Sequence, residues 1–516
     1  MIKARTALAA LLLSAAQVLP AANDPGAPPA AAPNGAALYD SRCATCHDKP
    51  QDRTPPRDVL SRNSPAFILA AMNGVMAPMA SGLSEDEKRA IALHLGTDPR
   101  AGRAGSLGEI PPHDIWGPPS ASMPMDGPMC DGSPPSIDLS AAQWNGWGVT
   151  TTNARFQPNP GLTAADVPRL KVKWAFQYPG SKNGQATVIG ERLFVTSMSG
   201  AVYALSSKTG CVYWRHDAAA ATRSSVHVVR MPAASSARHA LFFSDWTKAA
   251  VALNAETGAQ LWKTVIDDQP GVQMTGSPTY YEGKLFVPIS SGTEAFATSD
   301  QWECCKFRGA LVALDALTGK ILWKTYTTPT VPAPFRLNAR GQRMWGPAGG
   351  SIWSAPTIDP KRGRIYVATS NSYTDVPHEG SDAVIAMDLA TGTIQWINQV
   401  TKDDNYIIGC PRAANCPQKL GPDFSLGNSP ILHTLGDGKQ LIVVGQKSGA
   451  VYAMDPDDRG KTVWAQRLSP GSPLGGIEFG MAADADQVYA GISDVMAEKD
   501  PKPGLYALRI HDGELI

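Results

Sequence analysis

Residues 312–323 read VALDALTGKILW, in which an alternating apolar run, a polar turn containing glycine and a second alternating run end on tryptophan. This pattern predicts a β-hairpin with a glycine-containing turn. It occurs five times, and units of this length suit one four-stranded sheet plus loops. The other four copies are VYALSSKTGCVYW (202–214), VALNAETGAQLW (251–262), IAMDLATGTIQW (385–396) and VYAMDPDDRGKTVW (451–464).

Radial repetition of such sheets is a β-propeller, and an open solenoid or sandwich fits this hairpin-plus-tryptophan signature less well.

Two stretches of sequence indicate how the ring of sheets closes. Residues 170–180 (LKVKWAFQYPG) place Trp174 in a predicted strand that has no turn before it, so we expect this strand to pair with the last blade. Residues 505–516 (LYALRIHDGELI) stop where another tryptophan is due, so we expect an incomplete ring.

The composition supports a turn-rich β protein without a nucleic-acid site. Of 516 residues, 48 are Gly and 43 are Pro, 43% are hydrophobic and 18% are charged. This content favours a large core with many turns over a disordered or helical chain. Lys plus Arg equals Asp plus Glu at 46 each, and there is no basic run of the kind that binds nucleic acid.

The N-terminus predicts export. Lys3 and Arg5 precede an apolar stretch over residues 7–19, and small residues follow at Ala21 and Ala22. This is a signal-peptide pattern, and neither it nor a later stretch is long enough to span a bilayer. We therefore expect a periplasmic protein with no integral membrane segment. The eight cysteines are then available for disulfides or covalent attachment.

Composition divides the chain into five segments. A Pro/Ala-rich linker follows the signal peptide, and a Gly/Pro-rich linker separates a small helical module from the repeats. The predicted boundaries are 1–22 for the signal peptide, 23–34 for the first linker, 35–98 for the helical module, 99–135 for the second linker and 136–516 for the propeller.

The helical module carries CATCH at residues 43–47, the attachment pattern of c-type haem. Cys43 and Cys46 add to the porphyrin vinyl groups, and His47 supplies the proximal imidazole to the iron. A redox thiol pair or a zinc site is the alternative, but zinc requires two more ligands and the module has no second Cys/His pair.

The sixth iron ligand is predicted among three methionines. Ser84 and Glu87 form a capping box that opens a final helix to about Leu95. The segment resembles small bacterial cytochrome c domains, in which the ligand Met lies seven positions before the Leu of an LSxxE helix start. That resemblance implies Met76 as ligand, with Met79 as the alternative and Met72 as a core residue.

The repeats and the segments WNGWGVTTTNARFQP (144–158) and ECCKFRGALVALDALTG (303–319) resemble the pyrroloquinoline quinone (PQQ) alcohol dehydrogenases. With the short N-terminal cytochrome, the layout is most similar to the polyvinyl alcohol dehydrogenase group. The resemblance implies an eight-bladed all-β propeller, here lacking C-terminal blades, with a small all-α cytochrome c domain. It also implies PQQ, haem c and Ca²⁺ as cofactors.

A PQQ site requires oxygen ligands for a hard cation and a carboxylate base for the substrate hydroxyl. Glu294, in SSGTE, resembles the family's calcium-binding Glu. Asn371 ends a strand that resembles the one ending in the family's TGN. Asp423, in GPDF, falls where the family has its WD catalytic base, so the resemblance makes it both base and calcium ligand.

The resemblance also assigns contacts with PQQ itself. Trp353, in SIW, corresponds to the tryptophan that stacks under the ring, and Lys447 to the basic residue beside the quinone oxygens. Phe479 lies where the family usually has Trp. The remaining assigned contacts are Thr275 in MTGSP, Ser291 and Gly292 in the SSG segment, and Gln185 at the position of a family Glu.

The remaining cysteines suggest three disulfides. Adjacent Cys304 and Cys305 predict a vicinal bond, and methanol-oxidising relatives place such a bond against PQQ. In those relatives it lies one blade earlier, where this chain has TRSS at 222–225. Spacing predicts a loop disulfide between Cys410 and Cys416. Cys130 and Cys211 remain to tie the second linker to the first blade.

The resemblance therefore implies an enzyme that oxidises secondary alcohols, polymeric ones included. Asp423 takes the hydroxyl proton, and electrons pass from PQQ to the haem and then to a periplasmic acceptor such as a soluble cytochrome c. The alternative is a non-catalytic propeller scaffold with a cytochrome that shuttles electrons. A scaffold gives no reason for Glu294, Asn371 and Asp423 to occur in this order.

Overall fold

The computed structural model describes ten segments of the chain. The predicted signal peptide, nearly all of the first linker and residues 97–126, which include most of the second linker, lie outside them. The described segments are 33–49, 54–61, 65–73, 76, 79–96, 127–141, 143–178, 183–299, 302–497 and 499–516.

The N-terminal module is helical, as predicted. Its last helix has the predicted capping box: the Ser84 side chain accepts from the Glu87 N–H, and the Glu87 carboxylate accepts from the Ser84 N–H. Tyr39, Met72 and Ile91 are buried in its core, so the prediction that Met72 is a core residue is confirmed. The helices are α1 (Gly35–Arg42), α2 (Ala44–His47), α3 (Arg57–Leu60), α4 (Pro65–Asn73) and α5 (Glu85–Leu95).

Six antiparallel sheets, with strands in chain order, follow in the described propeller, and a two-stranded hairpin lies between the third and the fourth. The first three sheets comprise β1 (Gln143–Trp144), β2 (Thr187–Ile189), β3 (Arg192–Thr196), β4 (Ala201–Ser206) and β5 (Val212–Asp217); β6 (His227–Arg230), β7 (His239–Asp245), β8 (Ala249–Asn254) and β9 (Gln260–Val265); and β10 (Thr279–Tyr281), β11 (Lys284–Ile289), β12 (Ala310–Asp315) and β13 (Ile321–Tyr326).

The short helix α6 (Thr293–Phe296) follows β11. All five predicted hairpins are present, and the sixth sheet contains the partial repeat near residue 516. The hairpin and the last three sheets comprise β14 (Ala333–Leu337) and β15 (Arg343–Gly346); β16 (Thr357–Asp359), β17 (Arg364–Ala368), β18 (Ala383–Asp388) and β19 (Ile394–Gln399); β20 (Ile431–Thr434), β21 (Gln440–Gly445), β22 (Ala450–Asp455) and β23 (Lys461–Arg467); and β24 (Ala482–Ala483), β25 (Gln487–Ile492) and β26 (Gly504–Arg509).

Each closing tryptophan packs on the turn of the next repeat. The indole N–H of Trp262 donates to the Ala316 carbonyl at 3.1 Å, one sheet later. Gly319, in the same turn, has a φ of 71°. A Cβ there would lie 2.7 Å from the Trp262 ring, so glycine serves both the left-handed turn and the close approach of the indole. The tryptophans thus join neighbouring sheets.

The prediction for Trp174 is wrong. Residues 170–178 form no strand in the described structure, and β24–β26 pair only with one another there. The Trp174 indole instead donates to the Ser207 carbonyl at 3.1 Å and lies over Gly210 in the first hairpin turn. In the other repeats, the tryptophan of the preceding blade lies over this turn. Trp174 takes that position here, because the turn offers a carbonyl acceptor for the indole N–H and a glycine that lets the ring approach closely.

Three disulfides connect the predicted cysteine pairs. The Cys130–Cys211 disulfide ties the second linker to the first sheet, where the Cys130 N–H also donates to the Val212 carbonyl at 2.9 Å. Cys304–Cys305 is a vicinal disulfide, and Cys410–Cys416 closes a loop. Among the described helices, none combines the length and the apolar character that a bilayer crossing requires.

Candidate active site

A cavity of about 280 Å³ is lined by residues that flank strands of the second to the sixth sheets. In an antiparallel pair, the residues just before the first strand and just after the second lie at the same end. Thr275 precedes β10, Ser291 follows β11, and Lys447 follows β21. Five of the residues predicted from the sequence line this cavity, namely Thr275, Ser291, Glu294, Trp353 and Lys447.

Asn371 and Asp423 are completely buried and are held by residues that line the cavity. The Lys447 ammonium donates to Asp423 Oδ1 at 3.3 Å, and the Ser425 hydroxyl donates to Asn371 Oδ1 at 3.1 Å. The predicted donors Glu294, Asn371 and Asp423, from three separate loops, are therefore brought to one region of the fold.

Asp423 is oriented through its backbone. It has a φ of 57°, a left-handed conformation in which Asp is tolerated more readily than most residues. Its N–H donates to Oδ1 of buried Asp404 at 2.7 Å, and the Phe424 N–H donates to Asp404 Oδ2 at 2.6 Å. Asp404 thus fixes the turn that aims the Asp423 side chain.

The donor set suits a hard cation. Two carboxylates and one amide oxygen are the ligand types that Ca²⁺ prefers. Asn371 Nδ2 donates to the carbonyls of Ser372 at 3.0 Å and Tyr406 at 2.9 Å. These bonds fix which end of the amide is the oxygen, and the Asn371 Oδ1 acceptor then faces Ser425 on the cavity side.

Flat and cationic groups also converge on the cavity. The Lys447 ammonium lies 5.6 Å from the centre of the Trp353 ring, and the Phe479 ring meets Trp353 edge-on with centres 5.9 Å apart. Arg223 lines the cavity as well. Burial lowers the pKa of its guanidinium, and the Glu478 carboxylate opposes that shift. Two cations beside an aromatic face suit a planar, polyanionic ligand.

Three further residues at the site, Arg223, Asp404 and Tyr373, have no role in the sequence-based prediction. Arg223 could have been found from its position in the repeat. It lies four residues before β6, just as Thr275 lies four residues before β10 and Trp353 four residues before β16. Tyr373 lines the cavity, and its hydroxyl is 2.9 Å from that of Ser351. Asp404 acts through a contact with residues 19 and 20 positions away, so no local pattern marks it.

The attachment sequence of the helical module is arranged to hold an iron porphyrin. Cys43 precedes α2, while Cys46 and His47 lie on it. The His47 ring is buried, and its Nδ1 lies 2.8 Å from the Pro55 carbonyl. That bond places the proton on Nδ1 and leaves the Nε2 lone pair for a metal. Of the predicted sixth ligands, Met76 is half-buried and Met79 is 44% exposed.

Comparison with known proteins supports both the PQQ-type propeller and the cytochrome module. Residues 144–470 match the family model described as "Glucose/ethanol/alcohol dehydrogenase, beta-propeller domain", and residues 30–95 match "Cytochrome C oxidase, cbb3-type, subunit III". The chain is 79% identical over 482 residues to a polyvinylalcohol dehydrogenase of a Pseudomonas species, covering 93% of this chain and 75% of that protein. It is 59% identical over 490 residues to the polyvinylalcohol dehydrogenase of Sphingopyxis sp. (strain 113P3), covering 93% and 74%.

The chain belongs to the polyvinyl alcohol dehydrogenase family of PQQ enzymes. PQQ and haem c are accordingly its cofactors. A similarity in fold extends to the quinohemoprotein alcohol dehydrogenase of Comamonas testosteroni, with a TM-score of 0.52 at 17% identity over 71% of this chain and 64% of that one.

Gln185 and Gly292, which are also assigned to PQQ, are not among the described residues that line the cavity. Gln185 accepts from Arg155 at 3.3 Å, and Arg155 stacks on Trp147, which lines an adjoining pocket. The Gly292 N–H donates to the Gly271 carbonyl, and a Cβ at Gly292 would lie 2.6 Å from the Gln273 amide oxygen. Direct contact of Gln185 or Gly292 with PQQ stays a prediction.

The vicinal disulfide is part of the hydrophobic core. Cys304 and Cys305 are completely buried in a cluster that includes Phe307 and Tyr373, and they are not among the described residues that line the cavity. Tyr373 lies between this cluster and the cavity. A contact between the disulfide and PQQ therefore stays a prediction.

Proposed function

We propose that this protein is a periplasmic dehydrogenase that oxidises secondary alcohols, including the hydroxyls of a polymer. It passes the electrons through its own haem to an external acceptor such as a soluble cytochrome c. The names of its 79% and 59% identical relatives support the substrate class. The cytochrome match over residues 30–95 supports the route through the haem.

The observation that carries the proposal is the setting of Asp423. Its carboxylate is buried and accepts from the Lys447 ammonium, and its backbone N–H donates to the Asp404 carboxylate. A positioned carboxylate next to a cation is suited to take the proton of a substrate hydroxyl. Glu294 and Asn371 complete the oxygen donor set, so these three residues would hold Ca²⁺.

The same cavity would hold PQQ. Trp353 would stack on the ring, Lys447 and Arg223 would face its oxygens and carboxylates, and Thr275 and Ser291 would donate hydrogen bonds. When bound, PQQ supplies the hydride acceptor and Ca²⁺ polarises its carbonyl. The residues of the chain orient the ligand, exclude water and hold the proton on Asp423.

The domain boundaries belong to the same proposal. Residues 1–22 export the chain, 35–98 form the cytochrome c domain with His47 and Met76 as iron ligands, and 136–516 form the PQQ-binding part. Segments 23–34 and 99–135 act as linkers.

Reconstitution tests the proposal. The purified protein is incubated with PQQ and Ca²⁺, and dye-linked oxidation of a secondary alcohol and of polyvinyl alcohol is measured. We expect activity only with both cofactors. Glu294→Gln should weaken PQQ binding at fixed Ca²⁺ by at least about tenfold. Glu379→Gln, an exposed carboxylate with the same change, should not. Equal PQQ binding in both variants would remove Glu294 from the cation site.

A further inference from the structure

The loop closed by the Cys410–Cys416 disulfide contacts the haem-attachment segment. The Arg412 guanidinium donates through one nitrogen to the Thr45 carbonyl at 3.1 Å and to the Lys49 carbonyl at 3.3 Å. Thr45 lies within the CATCH sequence, and Lys49 follows α2 by two positions. A side chain of the propeller therefore holds the turn that carries both haem-attachment cysteines and the proximal His47.

This loop is a rigid platform. Besides the disulfide, buried Asn415 donates through Nδ2 to the carbonyls of Ala297 at 3.0 Å and Trp302 at 3.1 Å. The Arg336 guanidinium donates to the Cys416 carbonyl at 2.7 Å. Since both ends and the interior of the loop are fixed, Arg412 projects from a defined position.

The chain just before this loop holds the candidate cation ligands. The Asp404 carboxylate accepts from the Asp423 N–H at 2.7 Å, and the Tyr406 carbonyl accepts from Asn371 Nδ2 at 2.9 Å. The Ile408 N–H donates to the Glu294 carbonyl at 3.1 Å. Residues 404–412 thus run without interruption from the candidate cation site to the haem-attachment turn.

We propose that Arg412 is the residue that docks the cytochrome domain onto the propeller, so that residues 404–412 set the position of the haem relative to the PQQ site. The inference rests on the proposed function, in which two electrons leave each alcohol and the haem iron accepts them singly, each followed by transfer to the external acceptor. Docking raises the fraction of molecules in which the tethered haem is positioned to accept electrons from the PQQ site. Arg412 is a positioning residue and takes no part in the chemistry at the alcohol.

The test compares Arg412→Glu, Arg412→Lys and a charge-matched control, Arg459→Glu, on an exposed turn of the fifth hairpin. With PQQ and Ca²⁺ bound, the rate of haem reduction after mixing with alcohol is followed in a single turnover. Loss of hydrogen bonds from a charged donor should slow this rate by about tenfold in Arg412→Glu. Arg412→Lys should retain most of it, and Arg459→Glu should equal the unsubstituted protein. The dye-linked rate and the haem spectrum should not change.

A second readout needs no turnover. Hydrogen–deuterium exchange of residues 43–49 should be faster in Arg412→Glu than in the other two variants. Unchanged exchange and unchanged haem reduction in Arg412→Glu would overturn the docking role. If no variant oxidises alcohol but exchange responds to Arg412→Glu alone, the proposed function fails while the docking contact stands.

Discussion

Lys447 Nζ lies 3.3 Å from Oδ1 of Asp423, and both side chains are almost fully withdrawn from solvent, at 5% and 0% exposure. Removal of one partner from such a pair leaves the other charge buried with less compensation. Lys447→Met should therefore lower the free energy of unfolding by about 3–5 kcal/mol. Denaturant unfolding measures this change. Lys419→Met, which breaks an exposed pair with Asp403, should cost less than about 1 kcal/mol. Similar losses of unfolding free energy in both variants would show that the buried Lys447–Asp423 pair contributes no more to stability than the exposed pair.

Asp423→Asn should separate chemistry from binding. The amide keeps the shape of the side chain but does not take a proton, so turnover should fall by about 10²–10⁴-fold. At saturating Ca²⁺, PQQ should still bind, as fluorescence titration would show, because the Asn amide oxygen is still a cation ligand and Glu294 keeps its charge. Near-normal turnover would place the base elsewhere, with Glu294 the next candidate.

Asp382 predicts a pH-dependent change in stability. It is fully buried, and among the described residues its carboxylate oxygens have no hydrogen-bond partner. Burial raises the pKa of Asp382 well above its usual range; the Asp404 carboxylate and, less, Glu294 add to this, while Lys447 opposes it. The unfolded chain releases this proton near its ordinary pKa and the folded chain retains it. Stability is therefore lost as pH rises above that ordinary value.

Asp382→Asn should remove this penalty. In the cation-free protein its melting temperature should match that of the unsubstituted chain near pH 4 and exceed it by about 2–4 °C near neutral pH. The exposed Asp131→Asn should show no such divergence. If Asp382→Asn is less stable at neutral pH, the buried carboxylate makes a favourable interaction when ionised.

The choice between the two candidate iron ligands is testable by spectroscopy. Met76 is half-buried, and its backbone N–H donates to the Ala71 carbonyl at 2.8 Å, whereas the Met79 side chain is 44% exposed. Met76→Ala should leave haem attached but convert it from low spin to high spin or to water ligation. Met79→Ala should leave the low-spin spectrum intact. The reverse result would assign Met79.

The hairpins, the capping box and the vicinal disulfide could be predicted because each depends on residues close together in sequence. The alternating sequence around Trp174 predicts a strand that closes the ring, but the indole packs on a neighbouring turn. Asp404 and Arg412 could not be found this way. Their roles arise from contacts that only the folded loop over residues 404–416 creates.

The most direct test of electron transfer from the alcohol through PQQ to the haem uses the protein's own haem as the indicator. The oxidised protein, loaded with PQQ and Ca²⁺, is mixed with a secondary alcohol or with polyvinyl alcohol, and haem reduction is followed by absorbance without added dye. We expect reduction that requires alcohol, PQQ and Ca²⁺ together and that is lost in Asp423→Asn. Haem that stays oxidised under all these conditions, in protein shown to bind PQQ, would contradict it.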